Sequence, residues 1–96
     1  MIFGKMEYEN DYSDFHDELV NYLKTRFEPV KSGLQGDSWI EISENNETVT
    51  VDTFLSMKHQ IKSSKVDSTL VKMVIDYLCL KYKVVVFSSP EIEPHE

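Results

Sequence analysis

The stretch Ser38-Trp39-Ile40-Glu41-Ile42-Ser43-Glu44-Asn45-Asn46-Glu47-Thr48-Val49-Thr50-Val51-Asp52 decides the fold. Ile40 and Ile42 alternate with Trp39 and Glu41, and Val49 and Val51 alternate with Thr48 and Thr50. This period of two places one set of side chains on a buried sheet face. Between the two runs, Asn45-Asn46 supplies residues that tolerate positive φ, as a tight hairpin turn requires. A lone hairpin is marginal in water, so other elements must cover its apolar face.

Toward the N-terminus, Val30 to Leu34 predicts a shorter strand that enters the hairpin through a turn at Gln35-Gly36-Asp37. Before it the period changes. Phe15, Leu19, Tyr22, Leu23 and Phe27 recur at spacings of three and four, which predicts a helix over 14–27. Ser13 is placed to cap it, and Asp14 and Asp17 suit the positive end of its dipole. Glu28-Pro29 stops it, because a residue before proline is pushed out of the α region. Residues 1–12 show no clear period, and Ile2, Phe3 and Met6 predict a short arm packed on the body.

Toward the C-terminus, Val49, Val51, Thr53, Leu55, Met57, His59 and Ile61 continue the alternation beyond the usual length of a strand. A bend near 52–56 should therefore divide the run into two strands. Ser63 to Ser68 punctuates the chain, with Asp67 or Ser68 as a helix cap. Leu70 to Tyr82 is apolar nearly all round and predicts a helix buried on more than one side. Val84 to Phe87 reads as a β-branched interior strand, and 91–96 as a solvated acidic tail. The order α-β-β-β-β-α-β predicts one α+β domain over 1–90. Its architecture is a two-layer sandwich: an antiparallel or mixed sheet of about five strands with both helices on one face.

A chain of 96 residues supports one core and excludes large multidomain enzyme architectures. No apolar run approaches the roughly 20 residues of a membrane span, and Met1 to Lys5 is too short for a signal peptide, so a cytoplasmic protein with no membrane contact is expected. The single cysteine, Cys79, lies in Tyr77-Leu78-Cys79-Leu80 and reads as an inert core thiol. His16, His59 and His95 lack a second ligand at metal-binding spacing, and no glycine-rich phosphate loop is present. No metal, cofactor or catalytic residue is expected. His59 with Asp52 or Glu41 offers an acid–base pairing to an enzyme, against the simpler reading of a sheet-edge histidine bonded to backbone. Lys58, Lys62 and Lys65 form a short basic stripe, read as a solvated strand face, because a net charge of −7 repels nucleic acid.

Charge is segregated along the chain. Residues 1–56 carry twelve acids against Lys5, Lys24, Arg26 and Lys31, whereas 57–90 carry six lysines against Asp67 and Asp76. In Glu7-Tyr8-Glu9-Asn10-Asp11-Tyr12 and on to Asp14, Asp17 and Glu18, the acids are interleaved with tyrosine, which offers rigid contact area with a polar tip. Acids facing a basic partner also steer its approach. The candidate partner-binding residues are therefore Tyr8, Tyr12, Asp14, Asp17 and Glu18, with Glu41, Glu44 and Glu47 as a second patch.

In size, charge and α+β layout, with the Tyr8 to Glu18 cluster, the Glu41 to Glu47 hairpin and no catalytic set, the chain resembles small acidic bacterial immunity proteins. These bind and neutralise a toxin domain, often a basic nuclease, and include those of contact-dependent growth-inhibition systems. The resemblance implies a stoichiometric, non-enzymatic inhibitor, monomeric in its complex, that occludes a cationic toxin active site. That class shares no motif, so the candidate residues rest on charge placement alone. A small adaptor or homodimeric domain using the sheet is the alternative, and an enzyme built on His59 ranks last.

Overall fold

A computed structural model describes residues 1–94, which form β1 (Ile2–Glu7), α1 (Tyr12–Lys24), β2 (Val30–Gln35), β3 (Asp37–Glu44), β4 (Glu47–Asp52), β5 (Gln60–Lys62), α2 (Thr69–Cys79) and β6 (Lys83–Glu91). His95 and Glu96 of the expected tail lie outside the described residues. The hairpin forms as its pattern dictates. Ile40 faces Val51 and Ile42 faces Val49 across β3 and β4, with Asn45 and Asn46 at φ 52° and 64° in the turn. Gly36, at φ 82°, turns β2 into β3, a backbone state that L side chains resist.

The strands form one sheet in the order β2-β3-β4-β5-β1-β6, and every neighbouring pair is antiparallel. The fold is α+β as expected, with six strands rather than about five. The additional strand is β1, which the sequence presented as an arm and which lies between β5 and β6. Its alternation is hidden because Gly4 has no side chain, Lys5 and Glu7 are charged, and the register shifts between Ile2 and Gly4. A Cβ at Gly4 would stand 2.8 Å from the Val85 carbonyl oxygen, so only glycine fits there without a shift.

With β1 in the interior, β6 becomes an edge strand, paired with β1 alone and antiparallel to it. This corrects the interior placement of Val84 to Phe87 and removes the mixed-sheet option. The alternation after β4 also ends early. Leu55 adopts φ 58°, the chain leaves the sheet, and Leu55 and Met57 are 65% and 71% exposed instead of sharing the inward face.

Both helices cover one face of the sheet and lie side by side. The Tyr22 ring stacks on Tyr77 at 4.4 Å, and the Tyr22 hydroxyl donates to the Tyr77 carbonyl oxygen at 2.6 Å. Leu19, Leu23, Ile42, Val51, Val74 and Leu78 are all fully buried between the layers. Helix α1 starts at Tyr12 with Asp11 as its N-cap, not Ser13, and no side chain caps it. Ser68 caps α2, its Oγ accepting from the Val71 amide at 3.1 Å.

Cys79 is exposed, which overturns its reading as a core thiol. The buried residues of α2 are Leu70, Val71, Val74, Ile75 and Leu78, a broad but one-sided face. Cys79 follows Leu78 by about 100° of helical rotation and falls outside it. Among the described residues, no helix is long and apolar enough to cross a membrane.

Candidate functional site

The acids of α1 sit at the first turns of the helix, where its dipole favours negative charge. Asp11, Asp14 and Asp17 are exposed, while Phe15, His16 and Leu19 turn inward. None of these three carboxylates has a cation within ion-pairing distance among the described residues. Tyr12 secures the start of the helix, its hydroxyl donating to the Gly36 carbonyl oxygen. Glu18 is exposed and accepts from the Tyr82 hydroxyl at 2.9 Å. Burial first, and then this carboxylate, push the Tyr82 phenol well above its ordinary range.

Beneath this surface runs a chain of buried polar groups. Tyr8 Oη lies 2.7 Å from His59 Nδ1, His59 Nε2 lies 2.7 Å from Ser38 Oγ, and Ser38 Oγ lies 2.5 Å from His16 Nδ1. The His59 amide donates to the Tyr8 oxygen at 3.2 Å, and the Ser38 amide donates to Thr53 Oγ1 at 3.0 Å. The Ser38 hydroxyl bridges the two imidazoles, and the Tyr8 hydroxyl closes the chain at His59 Nδ1.

Burial, with His16 adding a smaller repulsion, pushes the His59 imidazole down to about 4, and burial pushes the Tyr8 phenol up to about 12. Ser38 sits between two imidazoles, as an activated nucleophile does, yet Ser38 and His59 are 0% exposed and His16 is 5% exposed. A substrate could reach that hydroxyl only by opening the sheet–helix interface. His59 is also not the expected edge histidine. It precedes β5, an interior strand, and its ring partners are side chains.

The candidate residues thus divide. Tyr12, Asp14, Asp17 and Glu18 come together on α1. Tyr8 is half-buried and committed to His59, with Lys58 Nζ 4.4 Å from its ring centroid. Glu47 Oε1 accepts from Ser68 Oγ at 2.6 Å and from the Leu70 amide at 3.4 Å, so this acid serves the start of α2. The Ser68 hydrogen bond lowers the Glu47 pKa. Glu44 lines a small cavity with Thr69, Leu70 and Met73. Glu41 has the opposite parity to Ile40 and Ile42 and faces away from both helices. Glu44 and Glu47 thus face each other across the hairpin and line the same cavity, whereas Glu41 lies on the opposite face of the sheet.

That open face corrects the basic stripe. Lys62 is buried, its Nζ 2.7 Å from Asp52 and 3.3 Å from Glu93, and Glu93 is thereby drawn out of the expected solvated tail. On the same face Trp39 lies across Gly33, where a Cβ would stand 2.5 Å from the indole nitrogen. Sequence reading missed the Ser38–His16 link, although Ser38 shares the inward parity of Ile40 and Ile42. The described residues contain no cluster of three or more His, Cys, Asp or Glu side chains placed to hold a metal ion. No family model, curated protein or solved structure matches the chain, so no residue role is carried over from a relative.

Proposed function

We propose that this protein is a stoichiometric inhibitor that binds a basic protein partner through the N-terminal half of α1 and covers its cationic active site, as an immunity protein does for a toxin. The observation that carries the reading is the exposed row Asp11, Asp14 and Asp17, which has no cation in ion-pairing distance among the described residues although eight lysines and Arg26 follow it in the chain. An acid row without an internal counter-charge keeps its field for an external one, and such a field accelerates encounter with a basic protein. Carboxylates spaced by three residues along a helix project at intervals of about 5 to 6 Å. That is a line of negative charge which a groove built for phosphates can accept, and it favours a nuclease as the target. Tyr12, beside the row and fixed at Gly36, adds ordered contact area.

The test begins with capture of a basic protein from the native cell on the immobilised chain. One-to-one inhibition of that protein's activity is then measured, with its salt dependence. Asp14→Lys and Asp17→Lys should retain the fold and lose about tenfold or more in affinity, chiefly through slower association. If both variants inhibit as the parent does, with the same salt dependence, the acids of α1 are a solubility device and the proposal is wrong.

A further inference from the structure

An apolar groove of about 600 Å³ lies on the helix side of β6 and is lined by Phe3, Val66, Val71, Ile75, Cys79 and Val86. Two features set this margin apart from the other edge of the sheet. At β2 the edge carries Lys31 and is preceded by Pro29, both of which discourage another strand from pairing. At β6 the run Val84-Val85-Val86-Phe87 has no charge and Val86 is 53% exposed, while the strand's own proline, Pro90, and its register shift lie beyond this run toward Glu91. Lys83, before the run, is engaged with Glu7 at 3.1 Å.

We propose that β6 and the groove beside it form an isologous interface with a second copy of this chain, β6 pairing antiparallel with β6 of the other copy. The charges at the groove argue for a second copy in particular. Lys72 and Asp76 both line it, one helical turn apart and exposed. A two-fold axis passing β6 near Val86 makes the two α2 helices antiparallel to each other, so Lys72 of each copy meets Asp76 of the other. The apolar walls close on their own mates, and the open backbone groups of each β6 pair. This face is separate from the acids of α1, so the proposal stands or falls independently of the inhibitor reading.

The test is the solution mass across a wide concentration range by light scattering and sedimentation. The parent should pass from one copy to two. Val86→Lys, at an exposed position and with the parent's melting temperature expected where both are single copies, should weaken the dimer about tenfold or more. Lys72→Asp alone and Asp76→Lys alone should also weaken it, and the double swap Lys72→Asp with Asp76→Lys should restore it, because each copy then meets its complement again. Cys79 offers a readout that needs no variant: its labelling rate should fall as the concentration rises. A parent that stays a single copy throughout, including one whose groove instead takes up a foreign strand, overturns the proposal. A dimer indifferent to Val86→Lys overturns it as well.

Discussion

Helices α1 and α2 bury the same kind of stripe and expose opposite chemistry. Inward, α1 presents Phe15, Leu19, Val20 and Leu23, and α2 presents Leu70, Val71, Val74, Ile75 and Leu78. Outward, α1 carries Asp14, Asp17 and Glu18, whereas α2 carries Lys72, Asp76 and Cys79 along an apolar groove. One further contrast lies inside. His16 makes the buried face of α1 part of a polar chain, while every buried side chain of α2 is apolar. The shared stripe is what any helix on a sheet must supply. The differences are therefore where specific behaviour should be sought.

The largest effects should be equal on the two helices. Leu23→Ala in α1 and Leu78→Ala in α2 each empty a fully buried site, and each should cost about 2 to 5 kcal/mol by chemical denaturation. A loss below 1 kcal/mol at either site would show that one helix is only loosely docked, and the symmetry of the inner faces would be lost.

Acid should separate them. The unfolded chain protonates His59 near its ordinary 6.5, but the folded protein refuses that proton until about 4. The unfolded state thus binds more protons between those values, and stability must fall as pH drops from about 6.5 to about 4, by up to roughly 3 kcal/mol. Hydrogen exchange at pH 7 and pH 4.5 should show protection lost earlier over α1 and β1 than at the centre of α2. Equal loss across both helices would mean that the polar chain does not hold α1 separately.

Tyr8→Phe sharpens the same contrast from the other end of the chain. Removing the hydroxyl leaves His59 Nδ1 without its hydrogen-bond partner and the His59 amide without its acceptor, at a cost of about 1 to 3 kcal/mol in thermal or urea unfolding. Stability equal to the parent's would imply that water replaces the hydroxyl. Smallest should be the effect of Asp14→Ala, within about 0.5 kcal/mol, since its carboxylate is exposed and has no ion-pair partner among the described residues. A larger loss would mean that this acid serves the helix dipole more than any partner.

The hairpin, both helices, a cap for α2 at Asp67 or Ser68 and the buried faces that carry Leu19, Leu23, Ile42, Val51, Val74 and Leu78 were legible in sequence because each follows from local period or local backbone preference. Strand β1 was not, since a glycine, two charges and a register shift erase its alternation. Nor was the division of the acids, because Glu47 and Glu18 find their partners 21 and 64 residues away. Sequence by itself determined which residues must leave water and with what period, since hydrophobic burial and φ/ψ preference act on neighbouring residues. Only the tertiary structure decided what they meet there. Inserting β1 beside β5 made β6 an edge and opened its groove, and the approach of α1 to β3 joined His16, Ser38 and His59. The physical reason is that strand order and side-chain partnership are pairings between distant segments, and a short stretch of sequence carries no record of its distant partner.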